Sequence, residues 1–298
     1  MRDVLVLGDV VLDVVVHTGG RVLRGTDTDA RITLLPGGAG ANVAAGLARE
    51  GLTATMVGCV GDDGAETATR ALRALGVALA LRTVPGAATG TVVVLVEADG
   101  DRSMACDRGA NLALEPTDVP DELLAAHRHL HVSGYSLFGR PRAATLDVLA
   151  QARSLGLTVS LDPASVAPLH LYGPARFRAD TAGCDLLLPN AQEAQALTGA
   201  PTPAGAARVL AAEHAAVAVS CGADGALWAS GVDVTARPAH GVTVVDTVGA
   251  GDAFTAGALA ALLDGADGAG CLQRGLTAAA RCVAGVGAVS WTSGTSRP

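Results

Sequence analysis

The chain reads as an α/β protein: a mainly parallel central sheet covered by helices on both faces, with a small β-sheet inserted. Three observations carry that reading. Short β-branched runs that end in Gly or Asp alternate with Ala/Leu-rich helical stretches along the sequence, the pattern of a parallel sheet buried on both sides. A glycine-rich turn, Asp246-Thr247-Val248-Gly249-Ala250-Gly251-Asp252, links a strand end to a helix start. Two segments, about 14–36 and 89–108, interrupt the alternation with polar patterning and a hairpin. The 298 residues suffice for a large core and read as one domain spanning 1–298, with those two segments inserted in it.

Composition removes several function classes. Net charge is −8 and the pI about 5.3, and no basic face of the kind that nucleic acid demands is visible. Mean hydropathy is +0.39, but Gly, Pro or a charge breaks every apolar run, so no membrane span is expected. The N-terminus enters a strand directly with no cleavage signal, and the six cysteines form no C-x-x-C pair. These features read as a cytoplasmic protein whose thiols are small buried hydrophobes. All 21 of the Lys and Arg residues are Arg. A P-loop needs its Lys, so phosphate here must be held by backbone N–H groups, Arg or a metal ion.

Taken in order, Val4–Leu7 is a buried strand broken by Gly8-Asp9, and Asp13 lies in the apolar run that follows. Residues 18–35 alternate as an exposed strand pair. Gly37-Gly38-Ala39-Gly40-Ala41-Asn42 opens a helix to about Glu50 that Gly51 closes. It is not G-x-G-x-x-G, so a dinucleotide fingerprint is unsupported. Thr53–Val60 is a strand, and Gly61-Asp62-Asp63-Gly64 a turn capping a helix from Ala65 to Leu75, preferred over a metal pair. Thr89–Val96 and Arg102–Cys106 form a hairpin turning at 98–101. Arg108 either meets an anionic group or is solvated. His127, His129 and His131 alternate on one strand face, more simply structural than a metal cluster. Pro141 starts a helix to about Leu155, and Leu157–Leu161 is a strand ending at Asp162-Pro163. Asp185–Leu188 is a buried strand leading to Asn190 and Glu193, spaced as a capping box. Ala216–Ser220 is a strand that turns at Cys221-Gly222-Ala223-Asp224-Gly225. Val242–Val245 is read as a strand, Asp252–Leu263 as a helix, and a last helix covers about 268–284.

The chemistry concentrates at the glycine turn. Glycine lets the backbone come close to a ligand, and the first N–H groups of the helix, at the positive end of its dipole, face an anion. Asp252 in that first turn is placed to take a proton from a hydroxyl beside a bound phosphate. Turn, dipole and base together suggest phosphoryl transfer to an alcohol. A plain helix cap explains the same residues as well.

What separates the two is a resemblance. Asp246–Gly257, DTVGAGDAFTAG, resembles the C-terminal signature of the ribokinase (PfkB) family of carbohydrate kinases, and the N-terminal half resembles the same family. The likeness implies a ribokinase-like fold whose small sheet is a lid over the sugar. It implies Asp252 as catalytic base and the amides of Gly249, Ala250 and Gly251 as the anion hole. Asp13, Gly38 and Asn42 match the positions that contact substrate hydroxyls, although Val11 and Ala39 replace polar residues that ribokinases often carry. Asn190 and Glu193 match an N-x-x-E motif that organises phosphate and Mg2+ through water. Ser220, Gly222, Asp224 and Gly225 match the turn at the nucleotide. Asp246 and the loop 285–288 match a monovalent-cation site, for K+. On the same footing the resemblance implies ATP and Mg2+ as cofactors, a small sugar as substrate, and a homodimer through the lid. The expected activity is transfer of the ATP γ-phosphoryl group to a hydroxyl of a ribose- or fructose-like monosaccharide. A nucleoside kinase of the same fold is the alternative, set back by the 2% aromatic content, which leaves few rings to stack on a base. A non-catalytic sugar-binding regulator and a nucleotide-binding oxidoreductase stand further off.

Overall fold

A computed structural model of the protein describes residues 3–97 and 102–285. The turn read at 98–101, and the loop 285–288 beyond Gly285, lie outside these residues. The first strand shows why a sheet forms the centre. In β1 (Asp3–Leu7), Val4 and Val6 pack into one apolar cluster and Leu5 and Leu7 into another, all fully buried. A strand apolar on both sides must be covered on both sides.

From β1 the chain leaves for the small sheet through β2 (Val11–Thr18) and β3 (Ala30–Gly37). It returns by α1 (Ala39–Arg49) to β4 (Thr53–Gly61), α2 (Ala65–Ala74) and β5 (Ala78–Val84), then leaves again for β6 (Gly90–Val96) and β7 (Arg102–Asp107). Alternation resumes with α3 (Asp121–Ala125), β8 (His129–Ser133), α4 (Arg142–Ser154), β9 (Thr158–Asp162), α5 (Val166–Tyr172), α6 (Pro174–Thr181), β10 (Leu186–Leu187), α7 (Ala191–Thr198), α8 (Pro203–Leu210) and β11 (Ala216–Ser220). A β12 (Ala226–Ser230) and β13 (Asp233–Arg237) edge follows, and α9 (Ala250–Leu263) and α10 (Gly268–Val283) complete the described chain.

The large sheet has the order β13-β12-β11-β10-β9-β8-β1-β4-β5, parallel from β11 to β5 and antiparallel at β12 and β13. One cluster packs α1, α2, α9 and α10 on one face, and the other packs α4 to α8 on the opposite face. The small sheet has the order β3-β2-β6-β7, with β2 and β6 parallel and the outer pairs antiparallel. Helix α9 matters most for the site. It is apolar around its circumference, AGDAFTAGALAALL, and Phe254 to Ala261 are all buried. Such a helix belongs in an interior, and its burial carries Asp252 inward.

Four sequence expectations need correction or refinement. Val242–Val245 is not a strand: residues 238–249 have no regular structure, and Val242, Val244 and Val245 are 41%, 57% and 56% exposed. β-Branching favours a strand only where a partner strand offers a ladder, and Val245 N instead donates to Val283 O at 2.7 Å. Strand β5 was not anticipated, because its Ala/Leu-rich first half carries little β-propensity and only pairing with β4 makes it a strand. The inserted sheet starts at Val11 rather than 14. The three histidines do not share a strand face: His127 precedes β8 and bonds Leu123 O and Thr55 Oγ1, while His129 and His131 are fully buried against Ser160. Burial drives His129 down to about 4 and His131 to about 3, so both stay neutral.

Candidate active site

Helix α9 begins at Gly249, whose φ of +75° is a left-handed conformation that glycine adopts without a Cβ clash. The turn this allows aims the first amides of α9 at the site and leaves Asp252 in the first turn. Helix α1 approaches from the other side. Its N-cap carbonyl, Gly38 O, accepts from Asn42 N at 2.8 Å, and Asn42 Nδ2 donates to Asp252 Oδ2 at 2.8 Å. Asn42 Oδ1 is buried with no partner among the described residues. Burial pushes the Asp252 carboxyl up to about 8; the nearby Asp162 and Asp13 charges add to the rise and the Asn42 bond opposes it.

Two more carboxylates converge there. Asp162 ends β9, where open parallel sheets place their ligand sites. Its Oδ1 accepts from Ala164 N at 2.8 Å and its Oδ2 from Thr255 Oγ1 at 3.2 Å. Ala164, at φ 77°, is the one non-glycine residue with positive φ among the described residues. Glu193 is buried in the first turn of α7 and forms the expected capping box. Asn190 N donates to Glu193 Oε2 at 2.9 Å, and Glu193 N to Asn190 Oδ1 at 2.9 Å. Burial first, then the neighbouring carboxylates, raise Glu193, and burial raises Asp162. Asp162, Glu193 and Asp252 line one cavity of about 90 Å3, together with Ala39, Ala164, Asn190, Ser220 and Gly251. The N-termini of α1, α7 and α9 therefore meet at a single small space.

Asp13 lies on β2 in the small sheet. Burial alone pushes it up to about 7. Neighbouring Gly37 is required for this placement, since a Cβ there would overlap the Asp13 carboxylate. The crossing from the large sheet to the small one is clamped by side chains. Arg108 Nη2 donates to Asp9 Oδ1 at 3.1 Å and Arg108 Nη1 to Phe138 O at 2.7 Å, while Asn111 bonds both Val10 N and Val10 O at 3.0 Å. Arg108 is thus not a free hairpin side chain: it is half-buried and paired with Asp9.

A second cavity of about 670 Å3 adjoins the first through Asn190, Ser220, Gly251 and Phe254, which line both. Gly222, Gly225, Thr247 and Ala250 also line it, as do the apolar Val242, Val244, Leu276, Ala279, Ala280 and Val283. Asp224 lines neither cavity and is exposed on the one-turn helix Gly222–Asp224. Asp246 is half-buried just before the turn, with Oδ1 accepting from Val248 N at 3.0 Å. Among the described residues no three His, Cys, Asp or Glu side chains converge closely enough to hold a metal ion directly.

Sequence reading missed Asp162 as a site residue, and with it Ala164, Thr255 and Gly37. The signal for Asp162 was present, an acid at the C-terminal end of a buried strand. The others depend on contacts between distant segments. Among the described residues no helix is long and apolar enough to cross a membrane.

Comparison with known proteins accounts for this architecture. A ribose-1-phosphate kinase of Halopiger xanaduensis is 33% identical over 83% of this chain and 78% of its own length. The ribokinase of Bacillus subtilis is 31% identical over 97% of this chain and 95% of its own. The solved Arabidopsis thaliana ribokinase, complexed with ribose and ATP, superposes with a TM-score of 0.83 at 27% identity, covering 96% of this chain and 94% of that one. The fold is therefore ribokinase-like, a mostly parallel sheet with helices plus a smaller lid sheet. The profile of the pfkB family carbohydrate kinases matches residues 1–293. This chain belongs to that family: it is a sugar or nucleoside kinase, a phosphotransferase with an alcohol as acceptor.

Proposed function

We propose that this enzyme transfers the γ-phosphoryl group of ATP to a hydroxyl of a monosaccharide of the ribose or fructose kind, with Asp252 as general base. One observation carries the reading. Asp252 stands, held by Asn42, in a small carboxylate-lined space that opens through Gly251 onto a cavity large enough for a nucleoside. The acceptor hydroxyl gives its proton to the Asp252 carboxylate as its oxygen forms the new bond to the γ-phosphorus. The bond from that phosphorus to the β–γ bridging oxygen breaks, and ADP leaves. The amides of Gly249, Ala250 and Gly251, at the positive end of α9, stabilise charge on the transferring group. Asn190, Ser220, Gly222 and Gly225 contact the nucleotide, while Asp224, exposed, reaches it only from the rim.

Asp162, Glu193 and Asp252 line one small space, and a hard divalent cation that keeps several waters would meet them through those waters rather than directly. Mg2+, when bound with the triphosphate, neutralises phosphate charge, and Glu193 would hold it through water beside Asn190. Asp246 is proposed as a ligand of a monovalent cation, K+.

On the acceptor side, Asp13 takes hydrogen bonds from two neighbouring hydroxyls, since a carboxylate offers about four acceptor sites. Asn42 Oδ1, buried and unpartnered among the described residues, accepts a third, and Gly38 lets the backbone come close. Val11 and Ala39 add no polar contact, and a bare monosaccharide fits this inventory better than a nucleoside. Ile32 and Leu34, 62% and 54% exposed on the face of the small sheet opposite Asp13, are the proposed homodimer surface. The test is an ATP-dependent, coupled ADP-release assay over a panel of sugars, sugar acids and nucleosides. A pentose or ketose is expected to turn over best; a nucleoside as best acceptor, or no turnover with any sugar, contradicts the reading.

A further inference from the structure

The larger cavity is lined mostly by glycine and apolar side chains; its polar side chains are Asn190, Ser220, Thr247 and His240. His240 lies in the irregular segment 238–245, which has no ladder to hold it and whose valines are largely exposed. Side chains hold it instead. His240 Nε2 lies 3.0 Å from the Gln273 side-chain amide and 3.2 Å from Thr277 Oγ1. Gln273 and Thr277 are one helical turn apart on α10, and Thr277 Oγ1 donates to Gln273 O at 2.8 Å, which fixes their relation. At its other end the segment is pinned by Val245 N and Asp246 N, which donate to Val283 O at 2.7 and 3.3 Å. The segment is thus fastened to α10 at both ends, with Val242 and Val244 spanning the gap as cavity wall.

We propose that His240 is a positioning residue for the nucleobase of the donor: tethered to α10, its imidazole holds this wall closed and offers the base a flat face. The inference rests on reading the larger cavity as the nucleotide site. Leu276, Ala279, Ala280 and Val283, small or aliphatic side chains of the same helix α10, line the cavity with His240. None of these has a side-chain hydrogen-bonding group for a base edge. Recognition by a flat face does not read the base edge, because every base has a π-face. The ligand class is therefore a nucleoside triphosphate not restricted to adenine, for which ATP and GTP are the probes, and His240 sets affinity rather than rate.

Calorimetric binding of non-hydrolysable ATP and GTP analogues, beside steady-state kinetics, tests this. In His240→Ala both dissociation constants should rise roughly 5- to 150-fold, the range for losing one aromatic partner of a base. KM for ATP should rise with them while kcat at saturating ATP and the acceptor KM stay put. His240→Phe, which keeps the flat face, should recover most of the affinity. The double variant Gln273→Ala/Thr277→Val, which keeps the ring but cuts its tether, should fall between. A His240→Ala protein that binds both analogues within twofold of the wild type overturns the inference and leaves the donor site standing. A wild type that binds neither analogue brings down both.

Discussion

In the ligand-free protein the Asp252 carboxyl keeps its proton up to about pH 8, because burial and Asp162 outweigh the bond from Asn42. Its folded value lies above the unfolded one, about 3.9 for an aspartate, so the native state binds more protons than the unfolded state between the two. The stability this contributes is present at acid pH and is lost as pH rises through about 8. Asp13 acts the same way up to about 7. Unliganded protein should therefore unfold at a lower temperature at pH 8.5 than at pH 5.5, and Asp252→Asn should narrow that difference; an unchanged difference in thermal melts would rule out Asp252 as a source. A base must be deprotonated to work, so kcat/KM should rise with pH toward about 8. Gly37 makes a second residue-scale prediction. Gly37→Ala puts a methyl group where the Asp13 carboxylate now sits. It should lower kcat/KM for the sugar by about tenfold or more while nucleotide affinity changes little, checked by kinetics and nucleotide titration on the same preparation. The glycine turn and the place of Asp252 in the first turn of α9 were legible in the sequence because these residues are adjacent in the chain. Asp162 carried a signal as an acid at the end of a buried strand, but its bond to Thr255, 93 residues away, did not show, and Gly37 gave none because Asp13 lies 24 residues away.

At the scale of elements, the start of α7 serves two ends. Asn190 and Glu193 close a capping box, and the same glutamate lines the small cavity. Glu193→Gln keeps an acceptor for Asn190 N, so the cap survives while a charge leaves the site. We expect thermal stability to hold within a few degrees and the Mg2+ concentration for half-maximal rate to rise several-fold. A metal titration with unchanged midpoint would remove Glu193 from the metal's surroundings. Strands with unbroken apolar runs, such as β1, and helices bounded by glycines or a capping box, such as α1 and α7, could be read directly. Strand β5 could not, because its Ala and Leu suit a helix equally well. Val242–Val245 failed for the converse reason: four residues of good β-propensity find no neighbouring strand and become cavity wall.

Over the whole molecule, the two sheets meet where the chain crosses between them at Gly8–Val10, Gly37–Gly38, Ala87–Gly90 and Arg108–Asn111, and Asp9–Arg108 and Asn111–Val10 lock that junction. The parallel sheet with helices on both faces followed from the strand–helix alternation alone. That the inserted segments form one small sheet followed from the family resemblance, but its central parallel pairing of β2 with β6, across nearly 80 residues, did not. The outer face of this sheet carries Val14, Val16, Ile32 and Leu34 in register. Ile32→Asp with Leu34→Asp should convert a dimer to a monomer in sedimentation while leaving the fold intact; a wild type that sediments as a monomer dismisses the proposed interface.

The central claim is that Asp252 is the base for phosphoryl transfer. Asp252→Asn keeps the side chain's shape and its place beside Asn42 but cannot take a proton. A pre-steady-state measurement of sugar phosphate formed per turnover, with ATP and Mg2+ saturating, isolates that step. The expected rate is about 10²–10⁴-fold below wild type with unchanged ATP affinity. A rate within a few-fold of wild type would contradict it.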